Sequence, residues 1–215
     1  PPAAYLDAVH ALPAIPYDLE TVAGTNALVD DLLAEKLPAD ERANAMAHLR
    51  GRYDAETTFL DDQLQVLWGQ LDARGALDDT LVVFWTDHGE QFFEHGNSGH
   101  GLTLMREEND AVLFFWAKNL APARHGGLTS GVDMAPTVQT LLGLDVPPTM
   151  SGLVAGTAPD DRVVWAGTAG TDGVYQAAIS STHKLHFGWR DPDEPVEGVA
   201  FGAGATVFAR TDLAE

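Results

Sequence analysis

Thr80-Leu-Val-Val-Phe-Trp-Thr-Asp-His-Gly-Glu90, followed by Gly99-His-Gly101, is the stretch whose reading decides the fold. Its apolar run, Leu81 to Trp85, has the length and uniform hydrophobicity of a strand buried on both faces. The run stops at Thr86, and Asp87 and His88 then stand side by side at its carboxyl end. In an open α/β sheet, ligands bind in the crevice beyond the strand ends. A carboxylate and an imidazole presented together there make half of a metal site. His100 follows after a glycine-flanked loop holding Glu94, His95 and Asn97, so three of the chain's eight histidines fall between residues 88 and 100. Taken singly, Asp87 reads as the cap of a following helix and a loop histidine as a solvated residue. Taken together behind that strand, Asp87, His88 and His100 read as a site.

Upstream, residues 1–24 are rich in proline and aperiodic, which predicts a surface loop. Asn26 opens a predicted short helix through Lys36, and Leu37-Pro38-Ala-Asp40 is a break with Asp40 as the next N-cap. From there Met46, Leu49, Tyr53, Leu60, Leu64, Leu67 and Leu71 recur at helical spacings. They predict one long helix to about Arg74, its stripe packed on the sheet and Gly75 as its stop. Downstream, Thr103 to Glu108 predicts a helical turn and Ala111 to Ala117 a second apolar strand. Thr129 to Leu144 predicts a helix with Pro136 in its first turn and Gly143 at its end. Val163 to Thr168 reads as a strand, Tyr175 to Ser181 and Lys184 to Trp189 as a hairpin, residues 198–206 as a glycine-rich loop and Thr206 to Arg210 as a last strand. Lys184 is expected on a solvated strand, with anion binding as the lesser reading. Helix followed by strand through a short connection suits a sheet with helices on its faces.

The 215 residues are one domain's worth of chain, with globular proportions of 45% hydrophobic and 20% charged residues. A formal net charge of −20 disfavours binding to a phosphate backbone, which needs clustered Lys and Arg. The acidity itself reads as solubility or a saline habitat. An acidic chain that binds an anionic ester needs local positive charge, and a divalent cation supplies it. The absence of Cys excludes disulfides and thiolate metal sites but does not fix the compartment. No apolar run approaches the roughly 18 to 20 residues that cross a bilayer. The chain opens on Pro1-Pro-Ala-Ala without Met, and the expectation is a piece of a longer enzyme.

An ordered series of motifs runs through the chain. Tyr53-Asp-Ala-Glu56, Asp61, Asp79-Thr80, Thr86-Asp-His-Gly-Glu90, Glu94-His-Gly96 and Gly99-His-Gly101 come first. Gly131-Val-Asp-Met-Ala-Pro-Thr137, Leu141-Leu-Gly-Leu144 and Ser151-Gly152 follow. This series resembles the carboxyl-terminal half of the sulfatase branch of the alkaline phosphatase superfamily, most closely over about residues 45 to 155. His183-Lys-Leu-His186 and Val207-Phe-Ala-Arg-Thr-Asp-Leu-Ala-Glu215 resemble its later strands more weakly. The chain departs from the family in several places. Thr86 replaces the usual Ser, and Asn109-Asp-Ala-Val112 stands where Arg-x-Pro is usual. The upstream histidine pattern is only hinted at by His10 and Pro16-Tyr17. The nucleophile motif, Cys or Ser followed by x-Pro-x-Arg, is absent, as are the paired Asp residues of the family's first strand.

The resemblance implies an α/β fold, a sulfatase-like mixed sheet flanked by helices with a small carboxyl-terminal antiparallel hairpin region, here a partial domain. Residues 1–160 would belong to the catalytic domain and 161–215 to its β-rich end. It implies a metal-dependent sulfuric ester hydrolase acting on a small-molecule or glycan sulfate ester. Asp87 and His88 would hold a divalent cation (Ca, Mn, Mg or Zn), with two further carboxylates upstream. His100 would be catalytic, donating a proton to the leaving oxygen or binding the anion. Glu90 and His95 are weaker site candidates: Glu90 reads as a helix cap or as orienting a ligand, and His95 reads equally as a loop surface residue. Asp133 reads as a structural cap, while His10, His48 and His125 carry no site signal. The alternatives are a phosphonate monoesterase or phosphoethanolamine transferase of the same superfamily, and a non-catalytic fragment. The nucleophile lies outside the chain on this reading, so the chain alone is expected to be inactive. The resemblance also suggests an exported or periplasmic protein.

Overall fold

The computed structural model describes residues 1–101, 103–170, 173–189, 199–200 and 206–212, arranged as two compact units. The first unit comprises Pro1–Val82 and Gly89–His100. Its opening segment is not the expected loop. Ala3–Tyr5 forms a 3-10 turn and Asp7–His10 a short helix, α1. Leu6 and Val9 are buried with Ala55, so apolar burial, not helix propensity, orders this segment. Tyr5 adds an edge-on contact with Phe59 and donates its hydroxyl to Asp62 at 2.6 Å.

Helix α2 (Val22–Leu33) starts earlier than Asn26. Thr21 is its N-cap, and its hydroxyl oxygen accepts the amide of Gly24 at 3.1 Å. Helix α3 (Ala39–Ala73) follows with Pro38 as N-cap, while Asp40 lies inside the first turn with Glu41, where carboxylates favour the helix dipole. Leu28 and Leu32 of α2 bury against Ala45 of α3 and Phe93. The apolar stripe of α3 is only partly used. Ala45, His48 and Ala55 are buried, but Tyr53, Leu60 and Leu67 are exposed. The strands of this unit explain the difference. β2 (Gln91–Phe92) and β3 (Ser98–Gly99) are two residues each, whereas α3 has 35 residues and is roughly 50 Å long. Tyr53 meets β2 through an edge-on contact with Phe92 at 5.1 Å.

The second unit comprises Val83–His88 and the chain from Gly101 onward. β1 (Val82–Trp85) enters it and pairs with β4 (Leu113–Trp116) in a two-stranded sheet. The Thr86 amide donates to Val112 O at 3.0 Å, and Phe84 stacks on Phe114 with ring centroids 4.9 Å apart. β1 is therefore not the doubly buried central strand predicted from its composition. One neighbouring strand cannot cover both faces, and Trp85 stays 56% exposed. Short helix α4 (Arg106–Asn109) precedes β4. Beyond β4, a 3-10 turn at Gly131–Asp133 leads into α5 (Met134–Leu141), shorter than the predicted 129–144 helix. Gly143, at φ +70°, ends it, and the Leu144 amide closes back on Gln139 O at 2.9 Å.

The carboxyl-terminal part is larger than a hairpin. β5 (Val164–Gly170), β6 (Gly173–Ile179), β7 (His183–Trp189), β8 (Val199–Ala200) and β9 (Thr206–Asp212) form a five-stranded antiparallel sheet in the order β5-β6-β7-β9-β8. Val164, Ala177 and Ile179 from this sheet bury with Leu104. Among the described residues the strands thus form three separate sheets rather than one mixed sheet flanked by helices. Most of the predicted 198–206 loop, and the tail after Asp212, lie outside the described residues.

Candidate functional site

Asp87 and His88 lie two and three residues past the end of β1, in the second unit. Inside a strand, consecutive side chains point to opposite faces. Past its end the backbone turns, and the Asp87 carboxylate comes within 3.5 Å of His88 Nε2. The same carboxylate also accepts the His88 amide at 3.1 Å. Both side chains are exposed, Asp87 more than His88. Among the described residues no set of three or more His, Cys, Asp or Glu side chains is gathered to hold a metal ion.

His100 belongs to the first unit, and strand register decides its partner. β2 and β3 are antiparallel, with Gln91 opposite Gly99. The next pair outward is Glu90 and His100, and His100 Nδ1 lies 3.0 Å from Glu90 Oε2. A carboxylate at Nδ1 fixes the orientation of the ring. The hairpin turn is itself tied down: Phe93 takes φ 69°, its amide donates to Asn97 O at 2.8 Å, and Glu94 accepts the Phe92 amide at 2.6 Å and pairs with Arg50. His95 is exposed on this turn. The structure thus joins Asp87 to His88 and Glu90 to His100, each pair within its own unit.

Asp133 is more than a cap. Its carboxylate is 1% exposed and receives four donors. Oδ2 accepts the Ser130 amide at 2.8 Å and Arg162 Nη1 at 2.6 Å, while Oδ1 accepts the Leu153 amide at 2.8 Å and Arg162 Nη2 at 2.7 Å. Burial pushes this carboxyl up, but the Arg162 guanidinium and the two amides together outweigh it and hold it below the ordinary aspartate value. Thr137 extends the network, donating to Asp133 O at 2.6 Å and accepting the Ala155 amide at 2.9 Å. Asp133 and Thr137 of the Asp-Met-Ala-Pro-Thr motif therefore clamp Leu153 and Ala155.

Lys184 departs most from expectation. It is 3% exposed, and so is not on a solvated strand. Burial lowers its pKa, an effect that Asp110, Glu107 and Glu108 partly oppose. It lines a cavity of about 820 Å³ within the second unit, on whose wall Thr86 and Asp87 also stand.

A sulfatase family model matches residues 6–144. The multifunctional alkaline phosphatase superfamily protein PehA of Trinickia caryophylli is 30% identical over 112 residues, covering 48% of this chain and 21% of the relative. The choline-sulfatase of Rhizobium meliloti (strain 1021) is 30% identical over 97 residues, covering 45% of this chain and 19% of the relative. The chain thus spans about a fifth of the length of these curated relatives. Among solved structures, the phosphonate monoester hydrolase from Silicibacter pomeroyi superposes with a TM-score of 0.61 at 18% identity, covering 86% of this chain and 44% of that one. This likeness concerns the fold.

Proposed function

The chain belongs to the sulfatase family, and from that premise we propose that it supplies part of the active site of a metal-dependent sulfuric ester hydrolase. The observation that carries the reading is the Asp87–His88 pair, set beyond β1 with its donors 3.5 Å apart and open to solvent. One oxygen and one nitrogen suit a divalent cation of the Mn²⁺ or Zn²⁺ type, and Ca²⁺ or Mg²⁺ once further carboxylates join. Such a cation supplies positive charge for the non-bridging ester oxygens. Asp87 and His88 would hold it together with carboxylates from sequence outside this chain.

His100 is the proton donor to the leaving oxygen on this reading, and Glu90 positions it through Nδ1. No Cys is present, and no Ser is followed by x-Pro-x-Arg, so the nucleophile also comes from outside the chain. The chain alone is therefore expected to bind Mn²⁺ or Ca²⁺ weakly and to leave an aryl sulfate unhydrolysed. Tight stoichiometric binding by calorimetry would overturn that.

The decisive experiment uses the intact protein that carries the nucleophile. His100→Ala should cost about 10²- to 10⁴-fold in turnover of esters with basic leaving groups, much less for activated aryl esters, and leave metal content unchanged. Equal penalties for both ester types with lost metal would make His100 a ligand instead. A second reading, a phospho-group hydrolase of the same superfamily, draws support from the likeness to PehA and to the phosphonate monoester hydrolase fold. Comparing kcat/KM for matched aryl sulfates and phosphonates separates the two readings.

A further inference from the structure

We propose that Arg50 is a positioning residue for the Glu90–His100 pair, acting through Glu94 on the β2–β3 hairpin of the first unit. The hairpin is too short to set its own register. It has two paired positions, Gln91 with Gly99 and Phe92 with Ser98. A two-stranded ribbon is marginal in water, and glycine-containing strands specify register weakly. A slip of one residue turns every side chain of a strand to the other face. Glu90 and His100 stand just outside the last pair, so their 3.0 Å contact is lost on any slip.

Contacts with α3 and the core hold the register instead. The Glu94 carboxylate bridges helix and hairpin: Oε1 pairs with Arg50, and Oε2 accepts the Phe92 amide at 2.6 Å. The Arg50 guanidinium also lies over the Phe92 ring, 5.5 Å from its centroid. Next in sequence, Phe93 is buried with Leu28, Leu32 and Ala45 and takes φ 69°. A bulky residue keeps that backbone only where its surroundings over-determine it. Phe93 thus plugs the hairpin into the core, and Arg50 fixes the arm that runs from this plug back to Glu90. Unlike Phe93, the Arg50 side chain is 56% exposed, so its removal leaves the core of the unit in place.

A carboxylate only accepts, so His100 Nδ1 carries the proton that it shares with Glu90. The neutral ring is thereby held in one of its two tautomers. It is the tautomer left behind when the Nε2–H bond breaks and the proton passes to a leaving oxygen. The inference rests on the hydrolase reading only for that use of the ring. The tautomer itself needs neither metal nor substrate, so the two readings fail separately.

The test is NMR of the full chain carrying ¹⁵N-histidine at pH 9, with His100 assigned by His100→Gln. The two ring nitrogens of a fixed tautomer resonate far apart, and exchange between tautomers draws them together. Wild type should show the wide separation, with the proton on Nδ1. Arg50→Met should collapse it, and Arg50→Lys, which keeps a cation for Glu94, should preserve it. Lys36→Met, which breaks an exposed ion pair elsewhere in the same unit, should leave it as in wild type. If Arg50→Met does not fold, Glu94→Gln opens the same bridge from its other end and should give the same collapse. In the intact protein that carries the nucleophile, Arg50→Met should cost about 10- to 10²-fold in turnover of esters with basic leaving groups at unchanged metal content, the scale of a misplacement by about 1 Å. A tautomer that survives Arg50→Met or Glu94→Gln, an equal collapse in Arg50→Lys, or a collapse in Lys36→Met would overturn the proposal. A collapsed tautomer with undiminished turnover would overturn the use of His100 as proton donor while upholding its positioning by Arg50.

Discussion

Asp133 and Arg162 form the kind of buried pair whose value shows only when one partner is removed. With Arg162 gone, Asp133 stays 1% exposed with two amide donors and no counter-charge. Arg162→Leu should therefore cost about 3–5 kcal/mol, read from urea unfolding; a loss below about 1 kcal/mol would show that the pair is dispensable. The pH dependence follows from the lowered Asp133 pKa. Its stabilisation is complete above the unfolded value near 3.8 and is lost as pH falls through the lower folded value. Acid titration of stability in Asp133→Asn should be flatter than wild type below pH ~4. Lys184 presents the opposite sign. Its folded pKa is lowered, chiefly by burial, so the folded state pays for the charge at neutral pH and regains stability only at alkaline pH. Lys184→Met should raise the melting temperature at pH 7, and a drop would mean that Asp110, Glu107 and Glu108 outweigh desolvation there.

At the scale of elements, the turn before α5 is set by a close approach. A Cβ on Gly152 would stand 2.0 Å from Val132 O, inside the loop that Asp133 and Thr137 clamp. Gly152→Ala should destabilise by about 1–3 kcal/mol or more in thermal or urea unfolding. Gly131→Ala, whose added methyl meets nothing within 4 Å, should stay within about 0.5 kcal/mol. Equal costs would show that steric room at Gly152 is not the cause. The same scale explains what could be read in advance. Helix α3 was legible because periodicity is a local property, and so was the Asp87–His88 adjacency past an apolar run. The apolar content of Leu81–Trp85 did not reveal how many strands would flank it, and among the described residues it pairs with β4 alone. The Glu90–His100 pair needed the β2–β3 register, and the burial of Lys184 depends on what covers its face of β7, which no local pattern encodes. Arg162 reaches Asp133 across 29 residues, a separation that no local pattern encodes.

For the molecule as a whole, charge is the dominant property: 32 Asp and Glu against 12 Lys and Arg. Favourable pairs are few beside that excess, and several are exposed, such as Lys36–Asp31 and Arg106–Asp110. Exposed pairs contribute about 0–1 kcal/mol each, so screening them costs little. Screening the remaining repulsion gains more, because the folded chain holds its carboxylates closer together than the unfolded one does. At 0.1 M salt the Debye length is about 10 Å, and at 1 M about 3 Å, which removes most interactions between separated surface charges. The melting temperature should therefore rise between 0.05 and 1 M NaCl, and it should rise comparably with KCl, since the effect is one of ionic strength. Sulfate must be left out of this series, because it is excluded from protein surfaces and strengthens burial by itself. A melting temperature that falls with NaCl would mean that exposed attractive pairs such as Lys36–Asp31 and Arg106–Asp110 outweigh the net repulsion. Repeating the series with Lys36→Gln then decides the matter, since a fall that shrinks in the variant assigns it to such pairs.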